Sequence, residues 1–581
     1  MNMNTSDLFL VPSELKLEQL SFCQNTVKSI QAWAADLSIL QLGDSSQALF
    51  NALLEISELK CQETLRFDLI QAIHPTLENV LTSLEKHFFN QALISNDRND
   101  HIIELALLLR SHFAKVYINI SRRSHQQLTQ QKFSLFAFNL KKNLQTARVL
   151  SSYYALQQLA LLRYQQHMLY SHALPNQWLI AHQLLDTAIQ QHYYLNNINQ
   201  LQGTQHQLIN IAQAYAQLIL LEIFNTHQIR PAEIQGLYLC SFDWAKLIQV
   251  LPKETTLSRY VVDASKDHPP IYNTHQSQGF HANIFIATQP LLDHLNEVQG
   301  RKGEHLSRNE KLFLTPALHF HLHNILTNTA ERVHERYEYS ARIKICFGLT
   351  VAHFYLSNGK NFNETLALGD NYQFQNESQF INAMHTNSTV DISAVKTLDR
   401  EAKQIYNADV LDISVNGYRI KWTGETPKNL KTGEFILVQE NSQSPWRGGV
   451  IRWIKQSAEK SLELGLEILT QDIYPCAVFV KTDRHTGHYH PALLVQSTQV
   501  NEVNTSLILP SLQLLRDKQT VQLRLGEEEL KVFLIKPLLI TQSFMRFDFE
   551  LLNDQQQPLL DGFIQKQVNE VKNHDLWEAL K

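Results

Sequence analysis

Asp409-Val-Leu-Asp412-Ile-Ser414-Val-Asn416-Gly417-Tyr-Arg419-Ile-Lys-Trp422 decides how the second half of this chain is read. One strand ends in the pattern Asp412-x-Ser414-x-x-Gly417, and another begins at once. Such a tight strand–turn–strand presents a carboxylate and a hydroxyl side by side. Gly417 can take a positive φ without steric cost, and Asn416 is the kind of non-glycine residue most able to join it. Taken alone, a hairpin whose Asp and Ser cap their own turn is the plainer reading.

Outward from this hairpin the chain is rich in strand-sized pieces. Upstream, Arg342 to Leu356 is a long strand-like run; downstream come Glu434 to Gln439, Gly449 to Trp453 and Leu462 to Leu469, with turn residues between most of them. Strands at this spacing predict an antiparallel sheet or barrel. Residues 357–404 interrupt it with a polar stretch rich in Asn, Gln and Ser, expected to be a flexible insertion. From Cys476 onward a second alternating region contains Val521 to Leu525, Lys531 to Ile535 and Met545 to Leu551, and a helical tail runs from about Gln565 to Leu580. Residues 1–330 read mainly as helix. Apolar residues recur at helical spacing in Leu53 to Leu59 and Ile103 to Leu109, and Leu135 to Tyr170 is dense in good helix formers. Pro175 to Trp178 starts another helix, with the proline expected in its first turn. Tyr260 to Asp263 and Ala282 to Ala287 predict a short β insertion at 258–288. The fold class is therefore α+β: a large helical region at 1–330, a β-barrel at 331–474 and a second β module with a helical tail at 475–581.

The hairpin resembles the [DN]-x-S-x-x-G signature of PilZ domains, bacterial receptors for cyclic di-GMP. Trp446 to Trp453 followed by Leu464 to Leu469 is similar to the closing strands of that small barrel. The family's R-x-x-x-R element is matched by Arg332-Val-His-Glu-Arg336, upstream of the first strand. The resemblance implies a site for cyclic di-GMP at Arg332, Arg336, Asp412, Ser414 and Gly417, with Arg342 in reserve. A helix from about Pro316 is expected to carry Arg332 and Arg336 on one face at i,i+4 spacing. The residue types suit the ligand. Arginine binds phosphate or a guanine's O6 and N7 bidentately and stacks on bases; a carboxylate accepts from a guanine N–H edge. No bond-making chemistry is implied, and the expectation is a binding protein rather than an enzyme. The resemblance further implies a receptor acting on type IV pilus function, surface motility or biofilm behaviour through a protein partner, such as pilus assembly machinery. The alternative is a degenerate PilZ-like scaffold that does not bind nucleotide.

Composition narrows the remaining classes. The chain has 581 residues, with Lys+Arg 51 against Asp+Glu 56 and a formal net charge of -5, which disfavours a general nucleic-acid binder. Only 18 glycines are present, and neither G-x-G-x-x-G nor a P-loop pattern occurs. The five cysteines are far apart with no C-x-x-C pair, as suits a reducing compartment. No signal peptide or apolar run of membrane-spanning length is found, so a cytoplasmic location is expected. His319, His321 and His323, and separately His485, His488 and His490 in an expected loop, invite a metal reading. Without an H-E-x-x-H pattern or neighbouring Cys they read better as ordinary histidines, and no metal site is expected. Arg110, Lys115, Arg122 and Arg123 read as a solvated basic face, and Tyr153-Tyr154 and Tyr193-Tyr194 as helix-packing residues.

Overall fold

A computed structural model describes residues 7–37, 41–87, 89, 97–131, 133, 138–202, 206–300, 305–328, 336–367, 403–414, 416–423, 426–427, 429–441, 444–457, 461–470, 472–481, 487–499, 502–512 and 514–579. The chain divides into two compact units. The first takes in Met1–Thr226, Pro231–Thr315 and Leu322–Ala330; the second takes in His227–Arg230, Pro316–His321 and Glu331–Lys581.

The first unit is built on helices, among them Glu63–Glu85, Asp97–Gln130, Phe138–Met168 and Ile211–Ile223. Phe138–Met168 lies at the centre and is buried on every side from Ala147 to Leu156, so it shows no single apolar stripe. Arg110 of helix Asp97–Gln130 ties it to helix Glu63–Glu85. Arg110, only 1% exposed, donates to Glu78 at 2.7 and 2.8 Å, to Glu85 at 3.1 Å and to Gln158 at 2.8 Å. The basic face read from the sequence is thus no solvated patch. Arg122 donates to the Phe9 carbonyl at 2.6 Å and Arg123 to the Ser57 carbonyl at 3.4 Å, so both bind backbone. Tyr153 and Tyr154 are core residues, as expected, and the Tyr153 hydroxyl donates to the Leu208 carbonyl at 2.8 Å.

Helix Gln177–Gln190 begins two residues later than its proline suggested. Pro175 precedes the cap, and Asn176 sits at φ 63° in the left-handed region. The first N–H groups are satisfied from far along the chain: Asp267 accepts from Asn176, Trp178 and Leu179 at 2.6, 3.0 and 3.1 Å. The short extended pieces form a four-stranded sheet of β1 (Gln249–Leu251), β2 (Ser258–Val262), β3 (Ile271–Tyr272) and β4 (Ile284–Ala287), in the order β1-β4-β2-β3.

The second unit holds two closed six-stranded barrels. The first consists of β5 (Tyr337–Phe347), β6 (Tyr406–Ser414), β7 (Gly417–Trp422), β8 (Phe435–Gln439), β9 (Arg447–Gln456) and β10 (Leu462–Thr470), ordered β10-β7-β6-β5-β8-β9. Its strands alternate in burial, so Val410, Ile420, Leu464 and Ile454 face inward. Phe347, Tyr406 and Trp422 cluster with ring centroids 5.5–5.8 Å apart. The expected strand from Arg342 to Leu356 is corrected here. It begins earlier, at Tyr337, and stops at Phe347; Gly348 turns the chain at φ 93°, and Leu349–Leu356 is a helix. An unbroken apolar run does not distinguish a strand from a buried helix by its period. This helix is apolar all round because both barrels cover it: Leu349, Val351 and Ala352 share a core with Phe435 and Val450 of the first barrel and Leu493, Ile508 and Phe544 of the second.

The second barrel consists of β11 (Asp472–Lys481), β12 (Gly487–Gln499), β13 (Glu502–Pro510), β14 (Thr520–Leu525), β15 (Glu528–Ile540) and β16 (Phe544–Leu551), ordered β11-β12-β13-β16-β15-β14. Cys476, Val478, Leu494, Leu507, Leu523, Val532 and Phe547 fill its core. The barrel closes where Ala477, Val478 and Phe479 of β11 pair with Arg524, Leu523 and Gln522 of β14. Helix Gln557–Ala579 follows. Of the polar insertion, residues 368–402 lie outside the described residues; just before them, the Leu366 carbonyl accepts from Arg524 Nε of β14 at 2.8 Å.

Candidate functional site

The β6–β7 hairpin is registered by the pairs Ser414↔Gly417, Ile413↔Tyr418 and Asp412↔Arg419. Gly417 is needed for a reason other than the positive φ expected of it. Gly417 is not among the described residues with positive φ. A Cβ on Gly417 would instead stand 2.1 Å from the Leu466 carbonyl oxygen on β10, so only glycine permits this backbone approach. Ser414 Oγ donates to the Gly417 carbonyl at 3.4 Å, a long bond that leaves the hydroxyl lightly held.

Following the register outward, one row crosses five strands of the barrel's outer face: Glu338, Asp412, Arg419, Gly465 and Trp453. The adjacent outer row is Arg342, Asp409, Lys421, Glu463 and Lys455. In that second row positive and negative side chains alternate across every ladder, the pattern of a solvated face. The first row breaks it, setting Glu338 directly beside Asp412. Three of its four ladders also carry register shifts next to it, between Glu338 and Ala341, between Val410 and Asp412, and between Gly465 and Leu466. Bulges of this kind bend a strand and re-aim its side chains, and they concentrate beside functional sites.

Asp412 is 9% exposed despite its place on the outer face. Arg336 Nη1 donates to its Oδ1 at 3.0 Å, and Arg419 Nη1 to its Oδ2 at 3.2 Å. Arg419 is held from its other side by Glu463, which accepts from Nε at 3.1 Å and Nη2 at 2.8 Å. Those bonds to Glu463, followed by the bond to Asp412, push the Arg419 pKa up against the opposing cost of burial. The guanidinium stays charged, with its donors aimed by two carboxylates.

Arg336, Asp412, Ser414 and Gly417 are thus brought together at one end of the β5–β6–β7 sheet. Arg336 precedes β5, and helix Pro316–Thr327 has already ended, so the arginine is not on a helical face as expected. Arg332 lies outside the described residues. Arg342 is not brought to Asp412; it pairs with Asp409 at 3.1 Å, and its side chain is 72% exposed. Arg419, Glu463, Glu338 and Trp453 were missed by the sequence reading. Arg419 alone had a local signal, lying two residues after Gly417 and therefore on the face of Asp412's partner position. Among the described residues no group of three or more His, Cys, Asp or Glu could hold a metal. His488 and His490 belong to strand β12 rather than a loop, and His485 lies outside the described residues.

Three family models match consecutive stretches of the chain. Residues 28–254 match "Cyclic-di-GMP receptor FimW, N-terminal domain", residues 259–475 match "Cyclic-di-GMP receptor FimW, middle PilZ domain", and residues 476–552 match "FimW C-terminal beta-barrel domain". The stretch that matches the PilZ domain model contains the barrel that carries Asp412, Ser414 and Gly417. A relative, the cyclic-di-GMP receptor FimW of Pseudomonas aeruginosa (strain PAO1), is 23% identical over 568 residues, which cover 92% of this chain and 91% of that protein. No solved structure matches. Among the described residues no helix is long and apolar enough to cross a membrane.

Proposed function

We propose that this chain is a cytoplasmic receptor for cyclic di-GMP, with Arg332, Arg336, Asp412, Ser414 and Gly417 as its ligand-binding residues. The observation that carries the reading is the meeting of Arg336 with Asp412 beside Ser414 and Gly417, on a row of the PilZ barrel where the ladders are bulged. The whole-length likeness to a relative described as a cyclic-di-GMP receptor supports it. Arginine donors suit the two phosphates, and a partly buried carboxylate suits a guanine edge. In this reading residues 331–474 sense the nucleotide. Residues 1–330 and 475–581 present the surfaces through which a protein partner, such as pilus assembly machinery, is regulated, with type IV pilus function, surface motility or biofilm behaviour as the output. Binding is the activity, and no covalent step is assigned.

Titration calorimetry of the full chain with cyclic di-GMP, with GTP as control, tests the reading. Wild type should bind at micromolar strength or tighter. Arg336→Ala and Asp412→Ala should each weaken binding at least tenfold, about 1.4 kcal/mol. Ser414→Ala should weaken it while costing less than about 1 kcal/mol of stability, because its internal bond is long. Asp412 already satisfied by Arg336 and Arg419 is the observation that favours the rival, a PilZ-like scaffold that binds no nucleotide. No binding heat with wild type would establish that rival.

A further inference from the structure

Among the described residues, four arginines of the helical unit are buried, and three of them face a carboxylate. Arg66 donates to Glu63 at 3.1 Å, Arg110 to Glu78 at 2.7 Å and Arg163 to Glu222 at 2.8 Å. Arg148, on helix Phe138–Met168 and 8% exposed, is the exception. Its guanidinium makes no hydrogen bond and meets no carboxylate among the described residues, and its Nε is fully buried. What it does meet is the face of Tyr193, with Cζ 4.3 Å from the ring centroid.

The groups around Arg148 are polar and equally underused. Ser121 of helix Asp97–Gln130 bonds Ser152 at 2.8 Å. One turn further along that helix, His125 comes beside Arg148. His125 Nδ1 and Ser124 Oγ, on the same side of the helix as Ser121, are buried without a hydrogen-bond partner among the described residues. Burial, followed by the charge of Arg148, holds the His125 pKa below 6.5, so the ring is neutral at pH 7. Burial raises the Tyr193 pKa while Ser152 and Arg148 act against it, which places the phenol beside both. A guanidinium over a tyrosine ring recovers only part of what it costs to take the ion out of water. A carboxylate on its fork recovers far more through charge-assisted bonds, as it does at the other three arginines.

With His125 neutral, the seat carries one positive charge. That matches a single carboxylate, whereas a phosphate dianion would bring an uncompensated charge into buried surroundings. Arg148, Ser124 and Tyr193 are all buried, so the group that enters must be slim. We propose that Arg148, seated on Tyr193 and flanked by Ser124, His125 and Ser152, binds the carboxylate of a small organic acid. The guanidinium fork takes the two oxygens, with Ser124 Oγ and His125 Nδ1 as further donors. All five residues belong to the helical unit, and the proposal is independent of the cyclic di-GMP reading.

Acetate is the minimal probe. Saturation-transfer NMR follows its methyl signal on the full-length wild type and Arg148→Met at pH 7 and matched ionic strength, with inorganic phosphate as competitor. Thermal unfolding of both proteins in chloride is the second readout. Wild type should show transfer that saturates with acetate and keeps at least half its strength under equimolar phosphate. Arg148→Met should bind acetate at least tenfold more weakly. In chloride it should melt no lower than wild type, because it removes a buried charge that no carboxylate pairs. Absence of saturable transfer to wild-type-bound acetate overturns the proposal and leaves these donors to ordered water. Equal transfer with both proteins overturns it as well, and so does loss of the acetate signal to less than equimolar phosphate. An Arg148→Met protein that melts more than about 5 °C below wild type, or does not fold, makes Arg148 a structural cation and overturns the proposal too.

Discussion

Replacing Gly417 by alanine measures how closely the hairpin and β10 approach each other. The added Cβ would meet the Leu466 carbonyl oxygen at 2.1 Å and the Leu466 carbonyl carbon at 3.2 Å. An ordinary contact needs more than an ångström of extra room, and the obstacle is backbone that cannot rotate away. Overpacking of this kind costs about 1–3 kcal/mol. Opening the β7–β10 ladder at the Gly417↔Glu467 pair forfeits about one net hydrogen bond, near 1 kcal/mol. Against this, alanine recovers about 0.5–1 kcal/mol of chain entropy in a strand. The balance is about 1–3.5 kcal/mol of destabilisation. At about 2–4 °C per kcal/mol for a unit of this size, the barrel transition should fall by at least about 2 °C in scanning calorimetry. Gly43→Ala is the control, since a Cβ there meets nothing within 4 Å and it lies in helix Leu42–Glu58; it should be neutral or slightly stabilising. A Gly417→Ala protein that melts within 1 °C of wild type would refute the close-approach argument and return the glycine to a purely conformational role.

Two further outcomes follow from buried groups. His353, on the helix between the barrels, bonds the Cys476 carbonyl at 3.2 Å, and burial pushes its pKa down to about 4 against the raising effect of that bond. The folded protein therefore keeps it neutral while the unfolded chain, with a value near 6.5, takes up the proton first. The stability contributed by neutral His353 is complete above about pH 6.5 and is lost as pH falls toward 4, at up to about 1.4 kcal/mol per pH unit. His353→Gln should flatten that part of the profile when barrel melting is compared at pH 7 and pH 5, and a parallel decline in both proteins would sink the assignment. In the helical unit, Arg110→Ala strands Glu78 and Glu85 without their shared cation and should cost about 3–5 kcal/mol, read by thermal unfolding; a loss under 1 kcal/mol would return Arg110 to the surface role its sequence neighbours suggested.

The parts of this protein that were legible in its sequence are those whose cause is local. Strand alternation on either side of Gly417 and the Asp412-x-Ser414-x-x-Gly417 spacing lie within a few residues, so the hairpin and its likeness to PilZ domains needed no tertiary information. The absence of glycine and proline from Leu135 to Tyr170 likewise marked the central helix. What the tertiary structure decided depends on partners far along the chain. Gly417 is constrained by Leu466 on another strand rather than by its own φ, and Asp267 caps a helix some 90 residues away. The run after Gly348 is a helix because two barrels close over it, and its apolar composition serves either state. The site was half visible for the same reason. Asp412 stands out in its motif, but register alone sets Arg419, Gly465 and Trp453 in its row, and register is fixed by which strands pair when the barrel closes.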